Sequence, residues 1–103
     1  MTEAQFRVTQ PADGTAPVVA ASGDVDLANV AQFQELMSQA AADAPALTVD
    51  LTEVNYCDSA AVRALFAVAA STELTMIVCA TGPITTLLGI SGLDRVATVI
   101  TKE

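Results

Sequence analysis

The chain has no histidine, no tryptophan, two cysteines, one tyrosine and only four basic residues among 103. Each shortage closes a class of function. Without histidine there is no Ser-His-Asp triad, no Cys-His pair and no histidine-based zinc site. Cys57 and Cys79 are too few for a disulfide scaffold or for a closed structural zinc site. No Gly-rich phosphate loop is present, so nucleotide binding has no motif behind it. No catalysis and no cofactor are expected.

Arg7, Arg63, Arg95 and Lys102 stand against twelve carboxylates, for a net charge of -8. Scattered cations make no basic patch. An acidic surface repels phosphate backbones and anionic lipid, which argues against nucleic acid and membrane and for a protein partner. Long apolar runs are missing as well. The longest candidate, Ala60 to Ala70, is interrupted by Arg63 and falls short of the roughly 18 residues of a membrane span. The opening Met1-Thr2-Glu3-Ala4 has neither the basic nor the apolar region of a signal peptide, so the expected location is cytoplasmic.

What is present is a 52% hydrophobic chain in which twenty of the apolar residues are alanine. A length of 103 residues suits one small domain, 1-103, as a monomer or weak dimer. Phe6 to Val8 and Val18 to Ser22 read as two strands of an antiparallel hairpin, joined through Pro11, Asp13-Gly14 and Pro17. Gly23-Asp24-Val25-Asp26 breaks the second strand. Asp26 is placed to cap a helix from Leu27 to about Ala42, whose buried side is Val30, Phe33, Met37, Ala40 and Ala41. Leu47, Val49 and Leu51 alternate with Thr48 and Asp50 as a strand. After the loop Asn55–Ser59, a second helix runs to Ala70 with Val62, Leu65, Phe66 and Ala69 at helical spacing. Leu74 to Ala80 suggests a strand buried on both faces. A short helix through Ile84, Leu87 and Leu88 fades near Gly89 and Gly92, and Val96 to Ile100 is the last strand.

The order β-β-α-β-α-β-α-β predicts an α/β fold, a small, mostly parallel sheet packed with helices. In such sheets the loops at the carboxyl ends of the parallel strands gather on one edge. Three qualify: Gly23–Asp26, Asn55–Ser59 and Thr81–Pro83. The middle one opens a helix directly, and a helix N-terminus offers unpaired N–H groups and partial positive charge to a phosphate on Ser59. The residues by themselves are more simply explained if Asp58 or Ser59 is an ordinary helix cap, since capped helices are ubiquitous.

Three segments resemble the STAS domain family, in its anti-anti-sigma factor branch. Leu47 to Val54 followed by Cys57-Asp58-Ser59-Ala60-Ala61-Val62 is similar to the family's strand and phosphorylation loop. Gly23-Asp24-Val25-Asp26-Leu27 is similar to its Gly-Glu-Leu-Asp segment. Leu87-Leu88 with Ser91-Gly92-Leu93-Asp94 is similar to the end of its third helix. The resemblance implies an anti-sigma factor antagonist, a binding module whose partner is an anti-sigma factor serine kinase of the GHKL type. The unphosphorylated form binds the kinase and frees a sigma factor; phosphorylation of Ser59 ends that binding. Asp58 matches the preceding acid, and Asp24 and Asp26 the acidic loop beside it. Ala60 and Ala61 depart from the family's second Ser or Thr and its Gly. Ala60, Arg63, Ala64 and Ala67 are expected on the exposed side of the second helix, open to a partner. The alternative within the family is an accessory subunit docking on the ATPase of an ABC-type lipid transporter. Cys57 and Cys79 are read as small buried thiols, and Tyr56 as a partly buried aromatic.

Overall fold

The computed structural model describes residues 4–10, 16–42 and 44–102. Its elements are β1 (Gln5–Thr9), β2 (Val18–Val25), α1 (Val30–Ala41), β3 (Ala46–Cys57), α2 (Ser59–Ala69), β4 (Glu73–Cys79), α3 (Pro83–Ser91), α4 (Leu93–Val96) and β5 (Thr98–Lys102). The strands form one sheet in the order β1-β2-β3-β4-β5. β1 is antiparallel to β2 and the other pairings are parallel. This is the anticipated mixed α/β fold, with the short α4 added. The Pro11 and Asp13-Gly14 turn signals lie outside the described residues.

Strict alternation along β2 and β4 sends Val19, Ala21, Val25, Leu74, Met76 and Val78 to one face, where they are buried with Leu47, Val49 and Leu51 of β3. Phe33, Met37 and Ala40 of α1 and Ala61, Ala64, Leu65 and Val68 of α2 complete this core. Phe6 reaches it from β1 and stacks on Phe33 with ring centroids 5.1 Å apart. The opposite face carries Val18, Ala20, Thr48, Asp50, Thr75 and Ile77, none of them buried. The expectation that β4 is buried on both faces therefore fails. Parallel strands are usually covered on both sides, but here the helices cover one. Threonine on the open face supplies β-propensity while staying compatible with water.

Two boundaries differ from expectation for related reasons. β2 does not break at Gly23 but continues to Val25, and β3 does not stop near Val54 but continues to Cys57. The buried residues of β3 after Leu51 are Val54 and Cys57, spaced by three instead of two. Register shifts against β2 between Ala20 and Ser22 and between Gly23 and Asp24 account for that spacing. Each inserts an extra residue on β3, a bulge that bends the strand and re-aims the side chains beyond it. Asp50 secures the first by accepting hydrogen bonds from the Thr52 N–H (2.9 Å) and hydroxyl (2.7 Å).

At the other end of the chain, Val96 closes α4, not the last strand, and β5 begins at Thr98. Gly92, with φ of 85°, takes the left-handed conformation that ends α3 and starts α4.

The one-sided core makes a contrast that unfolding in urea can measure. Met76→Ala should cost about 2–5 kcal/mol. Ile77→Thr, its neighbour on the open face, should change stability by less than about 1 kcal/mol. Equal losses would contradict a sheet covered on one face only.

Candidate functional site

The carboxyl ends of β2 and β3 lie side by side, with Asp24 opposite Tyr56 and Val25 opposite Cys57. Beyond them the two chains stay joined. The Asp58 N–H donates to the Val25 carbonyl at 3.2 Å. The Asp58 carboxylate then works in two directions. Its Oδ1 accepts from the N–H groups of Ala60 (2.9 Å) and Ala61 (3.1 Å), capping α2. Its Oδ2 accepts from the Leu27 N–H at 3.0 Å. One half-buried carboxylate thus ties the turn after β2 to the start of α2.

That turn has its own fastenings. The Asp26 N–H donates to Asn29 Oδ1 (3.1 Å), the Ala28 N–H to Asp26 Oδ1 (3.0 Å), and Asn29 Nδ2 to the Asp24 carbonyl (3.0 Å). Asp26 was expected to cap α1. It closes a turn instead, because Leu27, Ala28 and Asn29 are not yet helical and α1 starts at Val30. The Asn29 side chain is spent on this turn and leaves the α1 N-terminus uncapped.

Ser59 is exposed at the first position of α2. The sequence suggested that a phosphate there would meet free N–H donors. The structure corrects this: Asp58 Oδ1 holds those of Ala60 and Ala61, and the Asp58 carbonyl accepts from Val62. A phosphate on Ser59 would keep the favourable helix dipole but stand next to a carboxylate. Arg63 is exposed one turn later, and the i to i+4 spacing puts it on the same stripe of the helix as Ser59. Ala60 is half-buried and Ala67 exposed. Ala64 was expected on the exposed side but is 3% exposed and belongs to the core, because it lies between Ala61 and Val68 on the stripe facing the sheet. Ala61 is wholly buried, so its methyl group fills the core.

Sequence reasoning passed over two residues. Tyr56, taken for a partly buried aromatic, is 53% exposed, and Leu27 is 75% exposed. The second bulge of β3 turns Tyr56 outward, and the three-residue spacing of Leu51, Val54 and Cys57 was the available signal. The third loop, Thr81–Pro83, reaches β3 at Val54 and Asn55, lining a cleft of about 200 Å³ beside the Asp58 network and not within it.

Cys57 is buried, as expected. Burial, and then the neighbouring Asp58 charge, push its thiol up from 9.0 to about 12. Cys79 is exposed, against expectation, because it ends β4 where the open face meets solvent; its thiol donates to the Thr52 carbonyl at 3.3 Å. Thr52 lies five residues before Cys57 on β3, on the order of 15 Å away at strand rise. That separation is well beyond the ~7 Å Cα limit for a disulfide.

The chain matches the family model described as "Mlab, STAS domain" over residues 8–101. It is a STAS domain. The fold agrees with solved relatives of low sequence identity. An anti-sigma factor antagonist from Mycobacterium paratuberculosis superposes with a TM-score of 0.84 at 20% identity, covering 97% of this chain and 87% of that one. The anti-sigma factor antagonist SpoIIAA in its unphosphorylated form gives 0.64 at 14% identity, covering 96% and 90%. The Bacillus cell fate determinant SpoIIAA in its phosphorylated form gives 0.63 at 17%, covering 95% and 93%. No curated protein matches the chain. No helix among the described residues of this STAS domain is long and apolar enough to cross a membrane.

The Asp58 network and the two thiols can each be checked in the STAS domain itself. Asp58→Ala should lose about 1–3 kcal/mol in urea unfolding, and Asp58→Asn about 1 kcal/mol less than that, since an amide keeps one acceptor. Alkylation of the native protein at pH 8 should label Cys79 and spare Cys57 until the chain unfolds, as peptide mapping would reveal. The raised Cys57 pKa also makes its contribution to stability complete below pH 9 and lost as pH rises toward 12.

Proposed function

We propose that this STAS domain is an anti-sigma factor antagonist that binds an anti-sigma serine kinase of the GHKL type through the edge around Ser59. The observation that carries this reading is an exposed serine on the first turn of a helix capped by Asp58, whose carboxylate also holds the turn that follows Asp24 and Asp26. The domain contributes a surface and a phosphate acceptor; the chemistry belongs to the kinase. Asp58 fixes the start of α2, so Ser59 is presented in one backbone conformation. Ala61 in place of the family's glycine does not disturb this role, because its methyl group points into the core and away from a partner.

Phosphorylation would add about -1.5 to -2 charges at this spot. In the free domain the helix dipole and Arg63 favour the new anion, while Asp24, Asp26 and Asp58 oppose it. The balance leaves folding nearly unchanged. In a complex the phosphate must be desolvated against surfaces arranged for a neutral hydroxyl, and there the cost is large. The SpoIIAA relatives, solved in unphosphorylated and phosphorylated forms, are consistent with a fold that accommodates both states.

A second reading is a docking subunit on the ATPase of an ABC-type lipid transporter, used without phosphorylation. The family description names no sigma-factor regulator, which keeps this reading beside the first. Recovery of the protein with its partners from its own cells, with phosphate mapped by mass spectrometry, separates the two. A serine kinase and phosphate on Ser59 are expected. A transporter ATPase and an unmodified Ser59 would replace the first reading by the second.

With the kinase in hand, calorimetry should find Ser59→Ala binding like the unmodified protein. The phosphorylated form should bind at least about 100-fold more weakly, a difference of about 2.7 kcal/mol. Equal binding of the two forms would remove the switch.

A further inference from the structure

We infer that Leu27 and Tyr56 are the apolar anchors of this edge, and that the partner they fit is a protein surface with an apolar recess and a basic rim. The inference rests on the reading of the Ser59 edge as a docking site and names what does the docking.

Single exposed apolar residues are ordinary. Leu27 differs in how firmly it is held. Its own N–H is bound by Asp58, and the residues on either side are fixed by the Asp26 and Asn29 side chains. A turn made rigid by four side-chain hydrogen bonds that leaves its one large apolar side chain 75% in water is organised to present that side chain. Such pre-organisation removes much of the entropy cost of binding. Tyr56, on the neighbouring strand opposite Asp24, brings a large surface with few rotatable bonds and a polar tip, the properties that make tyrosine frequent among interface hot spots.

Charge decides the class of partner. Asp24 and Asp26 precede Leu27 and Glu53 precedes Tyr56 on β3, so that with Asp58 the carboxylates of this edge outnumber Arg7, beside Glu53, and Arg63, one turn into α2. Nucleic acid and anionic lipid are repelled by this edge, whereas lysines and arginines around an apolar recess complement it. Ile90, 80% exposed on α3, is the natural control, being more exposed than either anchor and outside the acidic edge.

The test is a calorimetric titration of the anti-sigma serine kinase with Leu27→Ser, Tyr56→Ser and Ile90→Ser, after thermal melting confirms that each variant folds. Leu27→Ser and Tyr56→Ser should each weaken binding at least about tenfold, Ile90→Ser less than about twofold, and raising salt should weaken all four proteins alike. Anchor variants that bind within twofold of the unmodified domain, or an Ile90→Ser loss as large as theirs, would overturn the inference. A kinase that ignores even the unmodified domain refutes the functional reading and not the anchors. The same three variants titrated against the transporter ATPase then support or overturn the anchors by the same criterion.

Discussion

The site depends on a single carboxylate facing two ways. Asp58 caps α2 with one oxygen and holds the turn after β2 with the other, so two loops from different strands behave as one edge. Neither attachment is strong; a cap and a backbone-to-carboxylate hydrogen bond are worth about 1–2 kcal/mol each. Their value is positional. The same residue that fixes the backbone of Ser59 also fixes Leu27, which is 31 positions earlier in the chain. It consumes the helix donors that a phosphate would otherwise use. On the proposed reading, a phosphate on Ser59 would find those donors already held and would stay at the surface.

The bulged half of β3 is the second requirement. A regular twelve-residue strand would alternate throughout, and Leu51, Val54 and Cys57 could not all face the core. Two inserted residues let the strand keep pace with β2 while placing Asn55 and Tyr56 outward and Cys57 inward. The strand delivers Asp58 to the edge, and the bulges decide which side chains arrive there with it. Cys57, buried under this junction with a thiol that stays protonated, acts as packing.

The sequence was most legible where one physical period ran undisturbed. The apolar stripes of α1 and α2 and the alternation of Leu47, Val49 and Leu51 all led to elements in the expected order. The edge was harder to read because its geometry comes from interactions between distant residues. Nothing local distinguishes Asp26 as a turn former from Asp26 as a helix cap, and the choice is made by Asn29 and Asp58 together. Ala64 could be assigned to the wrong side of α2 because alanine suits either environment. Tyr56 was misjudged because Asn55 to Ser59 was read as a loop, whereas β3 continues to Cys57 and turns Tyr56 outward. Asp58 stood at a strand-to-helix junction that an ordinary cap explains, and it does cap α2; the reading of Ser59 came from the family resemblance and not from the junction itself.

The bridge by Asp58 is tested most directly by amide hydrogen exchange, residue by residue, in the unmodified domain and in Asp58→Asn. An asparagine side chain has one acceptor, and the two N–H groups of Ala60 and Ala61 will hold it. The Leu27 amide, slow to exchange in the unmodified domain, should become fast in Asp58→Asn while those of Ala60 and Ala61 stay slow. A Leu27 amide that exchanges at the same rate in both proteins would contradict the bridge.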